Sequence, residues 1–222
     1  MISRNHLLLI VALELAAIAA GAFTWDRLPE RAPIRWNLHG QADGFGPRWQ
    51  VAFFIPAINA GVCALLVGLP LFGPFRRNFD KFRDTYGRIC VTITAGLVAL
   101  HIVVLLKAAG YGLRITGASS IVVGLMIAFI GSWLSKVRRN FWVGIRTPWT
   151  IANEEVWTRT HRVGAPLFVA FGLVNVGTGL LASDELCLVV LIGGLAAILV
   201  WAMLYSLYWY RRLGETEDLP GS

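Results

Sequence analysis

Six long apolar segments separated by short charged loops dominate the chain. They cover residues 6–23, 49–72, 89–110, 116–134, 163–181 and 186–208. Each is close to the roughly 20 residues that an α-helix needs to cross the hydrocarbon core of a bilayer. The pattern therefore predicts an all-α, polytopic bundle of about six transmembrane helices.

The composition agrees with a membrane protein. Hydrophobic residues make up 56% of the chain and charged residues only 15%, whereas soluble domains carry about 25% charged residues. The three cysteines, Cys63, Cys90 and Cys187, lie within or beside apolar segments and lack metal-ligand spacing. We expect them to be small buried apolar residues, and we expect no metal and no cofactor.

The net charge of +7 is concentrated in two of the loops. The basic residues of the second and fourth loops are Arg76, Arg77, Lys81, Arg83, Arg88, Lys136, Arg138, Arg139, Arg146, Arg159 and Arg162. The fifth loop carries Asp184 and Glu185 and no basic residue. The positive-inside rule then places loops two and four and both termini in the cytoplasm, and the first loop outside. No basic stripe is interleaved with stacking aromatic residues, so direct nucleic-acid binding is not expected.

The fourth loop, residues 139–162, has an unusual sequence. It contains an Asn, then Gly-Ile-Arg-Thr-Pro-Trp-Thr, then Glu-x-x-Trp and Thr-His. This resembles the signature of the SdpI immunity-protein family. The signature positions in this chain are Asn140, Gly144, Arg146, Thr147, Pro148, Trp149, Glu154, Trp157, Thr160 and His161.

The first loop resembles the domain of unknown function that commonly precedes that signature. Its motif positions are Pro29, Glu30, Pro33, Trp36, Asn37, His39, Gly40, Asp43 and Gly44. Arg35 stands where the pattern often has His, which argues against a His-based metal site. Together the two resemblances cover essentially the whole chain. They divide it into residues 1–86, with an outer cap at 25–48, and an SdpI-like region at 87–222.

The resemblance implies a role in the bacterial cytoplasmic membrane. The founding member of the family protects bacteria from a secreted toxic peptide that attacks the membrane. It also acts as a receptor that draws a winged-helix repressor to the membrane when toxin is present. The implied function is immunity, as resistance to an antimicrobial peptide coupled to signal transduction. The implied partners are membrane lipids, an extracellular toxic peptide and a cytoplasmic repressor.

The fourth loop also has properties that follow from its own residues. Gly144 permits a tight turn, and Asn153 can cap a helix whose first turn is Glu154 and Glu155. Glu154, Trp157 and His161 then share one helical face, and Arg146 could pair with Glu154 or Glu155.

Two interpretations of this loop stay open. One is a rigid interfacial elbow with Trp142, Trp149 and Trp157 at headgroup depth. The other, which we favour for the motif as a set, is a docking surface for a cytoplasmic partner or for lipid headgroups. In that interpretation Arg146, Trp157 and His161 form a polar and aromatic site.

The first loop is too long for a minimal connection. Ile34, Trp36 and Leu38 alternate with polar residues, which predicts a short extended stretch with one apolar face. Asp43-Gly44 is a turn signal. The loop could be a folded cap over the bundle, a surface that meets an extracellular peptide, or both. Glu30, His39 and Asp43 have only generic metal-ligand spacing.

Four polar residues fall near the middle of the predicted spans: Glu14, Asn59, His101 and Asn175. Ionisable groups at this depth are costly unless paired or hydrated. We expect a Glu14–His101 pair with Asn59 or Asn175 as further partners, either as a clasp between helices or as a proton or ion path. Two pairs of small residues, Ser120 with Gly124 and Gly193 with Ala197, are expected to pack within the bundle.

Three functions compete. The first is a binding and signalling protein that confers immunity. The second is a small transporter or ion-conducting bundle built on the mid-membrane polar residues. The third is a membrane enzyme acting on lipid or peptide. The sequence has no nucleotide-binding Gly-rich loop, no serine nucleophile elbow and no metalloprotease helix, so no catalytic residue is assigned.

Overall fold

The computed structural model describes residues 2–72 and 76–217, and six of its helices are long and apolar enough to cross a membrane. These helices are α1 (Arg4–Thr24), α2 (Ile55–Gly68), α4 (Arg83–Ala108), α5 (Ile115–Leu134), α7 (Glu154–Leu181) and α8 (Asp184–Glu217). A π-helical turn, Gln50–Phe54, and a 3-10 turn, Leu69–Leu71, lengthen α2 enough to span. Two short helices, α3 (Arg76–Lys81) and α6 (Pro148–Ala152), lie between spans. The all-α bundle of six spans is confirmed.

The centre of the bundle is α4, the most buried of the six spans, which packs against α1, α2 and α5. The most extensive helix pair is α5 with α7. Their backbones meet closely, since a Cβ atom at Gly124 would lie 2.6 Å from the Gly172 carbonyl oxygen. Ser120, one turn earlier, is buried. Packing of Ser120 and Gly124 within the bundle is therefore confirmed.

The last span, α8, is the least buried and lies at the periphery. Gly193 and Ala197 both face outward, and nothing lies within 4 Å of the position of a Gly193 Cβ. The prediction that this second pair packs inside the bundle is wrong. Helix α8 turns Trp201 and Ala202 toward α5 and α7 instead.

The first loop folds as an antiparallel hairpin of β1 (Arg31–Trp36) and β2 (Ala42–Pro47). The predicted extended stretch is confirmed, but the predicted turn at Asp43-Gly44 is wrong because both residues lie in β2. The turn lies earlier, where the Asn37 side-chain oxygen accepts hydrogen bonds from the backbone N–H groups of His39 and Gln41. An Asx turn of this kind fixes the reversal between Trp36 and Ala42, before the Asp-Gly pair.

The loops sort to two ends of the bundle. At the hairpin end, which carries residues 28–48, His39 contacts Glu185 and Arg27 donates to the Tyr111 hydroxyl. At the signature end, which carries residues 135–153, Trp142 donates to the Phe72 carbonyl. Arg83 there reaches the carbonyl of Ile2, so the N-terminus lies at the same end. The alternation of loops agrees with the predicted topology, while the cytoplasmic placement of the signature end stays a prediction.

Candidate functional site

The signature loop forms an elbow where the short helix α6 meets the start of the long helix α7, and each helix has an N-cap side chain. Thr147 caps α6: its hydroxyl accepts from the Thr150 N–H, and the Thr150 hydroxyl accepts from the Thr147 N–H. Pro148 occupies the first helical position, where a missing N–H costs nothing. Asn153 ends α6 and caps α7 by accepting from the N–H groups of Glu155 and Val156. The predicted Asn153 cap, and the continuation of its helix into the fifth span, are confirmed.

The stretch before the elbow is organised by Asn140, whose side chain is completely buried. Its amide nitrogen donates to the carbonyls of Arg138 and Val143, at 2.9 and 2.8 Å. Its oxygen accepts from the N–H groups of Trp142 and Val143, at 2.8 and 2.7 Å. One side chain thus replaces the backbone hydrogen bonds that an irregular segment would otherwise lack.

Trp157 and His161 form the centre of the elbow. Both are almost fully buried, and their rings stack with centroids 4.1 Å apart. The Trp157 indole N–H donates to the Val137 carbonyl at 2.8 Å. His161 Nδ1 faces the Trp157 carbonyl at 2.8 Å, and Nε2 accepts from the Ile145 N–H at 3.0 Å. These partners fix the neutral tautomer with its proton on Nδ1.

Gly144 is the residue that lets the loop close on this pair. Its φ of 116° is in a region that favours glycine. A Cβ atom at this position would collide with His161 Nε2 and lie 3.1 Å from the Trp157 ring. The predicted tight turn at Gly144 is confirmed, and the structure adds that the turn presses the backbone onto His161.

Two expectations about this loop are corrected. Trp157 is not available to lipid headgroups at any depth, because only 1% of it is exposed and its N–H is bonded inside the loop. Arg146 does not pair with Glu154 or Glu155. It donates to the Phe141 carbonyl at 2.7 Å, while Glu155 pairs with Arg159 and Glu154 lies 3.9 Å from Arg139.

The remaining signature residues divide into an inner and an outer set. Thr160 is buried and its hydroxyl has no hydrogen-bond partner among the described residues. The Thr147 hydroxyl donates to Ser206 of α8 at 2.9 Å, which ties the elbow to the last span. Glu154 and Arg146 are exposed, and Trp149 is partly exposed. The polar and aromatic site predicted from Arg146, Trp157 and His161 is therefore split between the core and the surface.

A cavity of about 360 Å³ lies beside the elbow. Its loop wall is formed by residues 143–147, and α5, α7 and α8 supply apolar residues such as Leu134, Phe168 and Met203. Arg146 contributes the charged group of the lining. Because one wall is apolar and the other carries a guanidinium group, the cavity suits an amphipathic group from the membrane boundary or from a partner.

The hairpin residues occupy the opposite end of the bundle. Pro29 and Glu30 lead into the hairpin, Pro33 and Trp36 lie in β1, Asn37, His39 and Gly40 form the turn, and Asp43 and Gly44 lie in β2. His39 contacts Glu185 at 2.9 Å and Asp43 pairs with Arg35 at 3.0 Å. The three candidate metal ligands, Glu30, His39 and Asp43, thus do not converge. Among the described residues, no group of three or more His, Cys, Asp or Glu side chains could hold a metal ion.

The hairpin also presents large apolar side chains that the protein leaves uncovered. Ile34, Leu38 and Phe45 are 44%, 64% and 53% exposed. The turn forms one wall of a second cavity, of about 280 Å³, against the first turns of α5 and α8. Asn37 and Ser119 are among its polar lining residues, and Leu188 is among its apolar ones. This end can therefore offer both an open apolar face and a partly polar pocket.

A polar cluster inside the membrane joins α1, α2 and α4 around Cys63. The Cys63 thiol lies 3.4 Å from Glu14 Oε1, 3.1 Å from the Thr94 hydroxyl and 3.8 Å from Asn59 Oδ1. Glu14 Oε2 and Asn59 Nδ2 are buried without a hydrogen-bond partner among the described residues. Glu14 and Asn59 were expected to be neighbours, and Cys63 is what connects them.

The expected Glu14–His101 pair is not formed. His101 lies beside the Ala17 carbonyl, yet neither of its ring nitrogens reaches hydrogen-bond geometry with a described residue. Asn175 is on α7, where its amide nitrogen donates to the Phe171 carbonyl one turn earlier. The four polar residues therefore occupy three separate places rather than a single path.

Sequence reasoning missed the part played by Cys63 and Thr94. Cys63 was expected to be an apolar filler, but it is a thiol surrounded by three oxygens. The available signal was helical spacing, because Cys63 follows Asn59 by four residues and so shares its face. No sequence pattern singled out Thr94. Its hydroxyl also donates to the Cys90 carbonyl of its own helix.

Comparison with known proteins agrees with both motifs. Residues 136–206 match the SdpI/YfhL protein family, and residues 12–60 match a domain of unknown function, DUF1648. The chain is 23% identical to the Immunity protein SdpI of Bacillus subtilis (strain 168) over 193 residues, which is 87% of this chain and 90% of the relative. No solved structure matches the chain. The elbow at residues 135–153 lies largely within the first matched region, and the hairpin at 28–48 lies within the second. The chain is therefore a multi-pass membrane protein with a region similar to the SdpI/YfhL family and an N-terminal region similar to DUF1648.

Proposed function

We propose that this chain is an immunity protein of the bacterial cytoplasmic membrane that gives resistance to a membrane-active toxic peptide. The observation that carries the proposal is the similarity to an immunity protein along nearly the full length of both chains. That similarity includes the first loop as well as the signature, so it supports transfer of the role as a whole and not of one module only.

The geometry supports a division of labour between the two ends. The hairpin end, with Ile34, Leu38 and Phe45 uncovered, is the surface that meets the peptide. An apolar face beside exposed arginines suits an amphipathic peptide better than a soluble globular partner. The signature end carries the outward-facing Arg146, Trp149 and Glu154, which form the docking surface for a cytoplasmic winged-helix repressor.

The proposal requires that the peptide be bound and not chemically changed. A suitable test expresses the chain in sensitive bacteria and challenges them with a panel of purified membrane-active peptides. Survival should rise for at least one peptide, and that peptide should keep its intact mass after incubation with membranes that contain the protein. If no peptide in a broad panel is tolerated better at verified membrane levels of the protein, the proposal is wrong.

Variants at the two ends test the division of labour. The double variant Ile34→Ser/Phe45→Ser should lose protection while keeping normal membrane abundance, because both side chains are exposed and add little to stability. Arg146→Ala should keep protection and lose recruitment of the repressor to membranes. An outer control is Arg31→Ala, which removes a hairpin charge and keeps the apolar face. Equal loss of protection in Arg31→Ala and in the apolar double variant would contradict the peptide-facing assignment.

A second candidate function rests on the cluster around Cys63. Two buried polar atoms of this cluster lack a partner among the described residues, Glu14 Oε2 on α1 and Asn59 Nδ2 on α2, and such atoms are also what a proton or ion path would need. Glu14→Gln keeps the shape and the acceptor for Cys63 but removes the ionisable group. If the chain conducts, flux measured in proteoliposomes should fall to the level of empty vesicles. If the cluster is only a clasp, the variant should fold, protect and show the same flux as the wild type.

A further inference from the structure

The signature end has another cavity besides the one of 360 Å³, and this one is polar and lined by basic side chains. Its volume is about 450 Å³, and it lies where α4, α5 and α7 reach that end. Four basic residues line it: Lys81, Lys136, Arg138 and Arg162. Among the residues that the structure describes, no Asp or Glu belongs to the lining. These residues come from three separate parts of the chain, so only the folded protein brings their charges together.

The basic residues are not occupied by ion pairs. None of Lys81, Arg138 and Arg162 forms an ion pair with a described residue. Lys136 contacts only a ring face, with its ammonium group 4.8 Å from the centre of the Trp133 ring. Two acids near the cavity have basic partners outside it, since Asp84 pairs with Arg88 and Glu155 pairs with Arg159. Four converging cations that have no counterion among the described residues repel one another, and an anion in the cavity would relieve that repulsion.

The rest of the lining is suited to oxyanions. Thr85, Ser135 and Thr158 place hydroxyl groups on the same cavity, and the Thr85 side chain is almost buried. Phe82, with 4% of its surface exposed, supplies an apolar floor. Guanidinium, ammonium and hydroxyl donors around an apolar floor match a phosphate group that is attached to something larger.

We propose that this cavity is a binding site for a phosphate group, supplied by the headgroup of an anionic membrane lipid or by a soluble phosphate. The volume is larger than inorganic phosphate needs and fits a headgroup, and roughly 300–1,000 Å³ is typical of small-molecule sites. Basic pockets between spans at the cytoplasmic side are a common form of lipid headgroup site. The proposal does not depend on the immunity function, because none of its residues is on the hairpin and none is Arg146, Trp149 or Glu154 of the proposed docking surface.

The test uses the whole purified protein in neutral detergent and titrates four probes. They are dioctanoyl phosphatidylglycerol, dioctanoyl phosphatidylcholine, dioctanoylglycerol and inorganic phosphate. The shift of the thermal unfolding midpoint with concentration gives an apparent Kd for each. The test variant is Lys81→Ala/Arg162→Ala, and Arg138→Ala is a second, independent test. Arg4→Ala is the matched control, since Arg4 is an exposed cation at the same end that does not line the cavity.

We expect phosphatidylglycerol to bind at least about tenfold more tightly than dioctanoylglycerol, which has the same chains and no phosphate. The double variant should weaken that binding about tenfold or more, because two charge-assisted contacts are lost. Arg4→Ala should change it by less than about twofold. Phosphatidylcholine should bind less tightly than phosphatidylglycerol, since its choline cation faces the arginines. If inorganic phosphate alone raises the unfolding midpoint in a saturable way, the result supports the site with soluble phosphate as its ligand.

Three results would overturn the proposal. The first is equal binding of phosphatidylglycerol and dioctanoylglycerol together with no shift by inorganic phosphate. The second is an Arg4→Ala effect as large as that of the double variant, which would mean general surface attraction and not a site. The third is no shift with any of the four probes. All the substituted side chains are exposed, so the variants should unfold at the wild-type midpoint when no probe is present, and this is checked first.

Discussion

The two ends of the bundle are built in opposite ways. At the signature end, polar side chains are buried and bonded to one another: Asn140 makes four hydrogen bonds, and His161 uses both ring nitrogens. At the hairpin end, the contacts that attach the loop to the helices include exposed polar pairs, such as His39 with Glu185. Exposed pairs contribute little to stability, whereas a buried polar group left without its partner is costly.

This contrast shows what each motif encodes. Most residues of the signature, including Asn140, Gly144, Trp157 and His161, act on the shape of the elbow and not on its surface. Substituting them should lower stability, and any loss of function would follow from that. The large apolar side chains Ile34, Leu38 and Phe45 of the hairpin are exposed, so substituting them should alter binding and leave the fold intact.

Gly144→Ala should give the largest loss of stability. The substitution places a side chain at a φ of 116° and drives its Cβ into His161 Nε2. Strain and collision together should cost about 3 kcal/mol or more of unfolding free energy. The measurement is reversible unfolding in mixed micelles, with membrane abundance as the cellular readout.

Gly110→Ala is the matched control at the hairpin end. Gly110 has a φ of 90°, and nothing lies within 4 Å of its Cβ position. It should cost about 1–2 kcal/mol, from backbone strain alone. The difference between the two variants isolates the contact with His161. Equal losses would mean that the close approach of the loop to His161 contributes nothing.

Asn140→Ala should have the next largest effect. It leaves two backbone N–H groups and two backbone carbonyls of a buried loop without partners. The expected cost is about 2–4 kcal/mol in the same unfolding assay. Asn78→Ala is the comparison at the same end. With the described residues, the Asn78 side chain makes one hydrogen bond, to the Arg139 carbonyl, so this variant should cost about 1 kcal/mol. If the two variants are equally stable, Asn140 does not organise this loop through its four hydrogen bonds.

Trp157→Phe should be milder, since it keeps an aromatic ring against His161 and removes the N–H bond to the Val137 carbonyl. We expect a loss of about 1–3 kcal/mol from the unpaired carbonyl and the lost volume. Trp25→Phe tests the other end with the same chemical change. Trp25 is only partly buried, and its ring contacts are with Phe53 and Arg48. Trp25→Phe should lower the free energy of unfolding less than Trp157→Phe does. The reverse order would contradict the contrast between the two ends.

The sequence could predict those features that depend on local patterns. The six spans follow from apolar length, the Asn153 cap from side-chain chemistry next to two acids, and the Gly144 turn from the lack of a Cβ. The strand around Ile34 followed from alternation. In each of these cases the physical cause lies within a few residues of its effect.

Features that depend on competition between partners were beyond the sequence. Arg146 bonds the Phe141 carbonyl because the loop folds back on itself, and Glu155 is taken by Arg159 one helical turn away. The hairpin turns at Asn37 and not at Asp43, because the Asn37 side chain bonds two backbone N–H groups. Glu14 and His101 were both expected near the middle of the membrane, yet they do not pair. Depth in the membrane does not determine which sides of two helices are in contact.

Substitutions at the contact of His39 with Glu185, where the β-hairpin meets α8, should have the smallest effect on the free energy of unfolding. Both side chains are more than half exposed, so His39→Ala and Glu185→Gln should each unfold at the wild-type midpoint. The contact nevertheless holds the hairpin turn against the helix that shares the 280 Å³ cavity with it. Protection against a toxic peptide should therefore fall in both variants without a fall in membrane abundance. An Arg31→Ala control should change neither quantity. A clear drop in the unfolding midpoint of either contact variant would show that the hairpin end is as interlocked as the signature end.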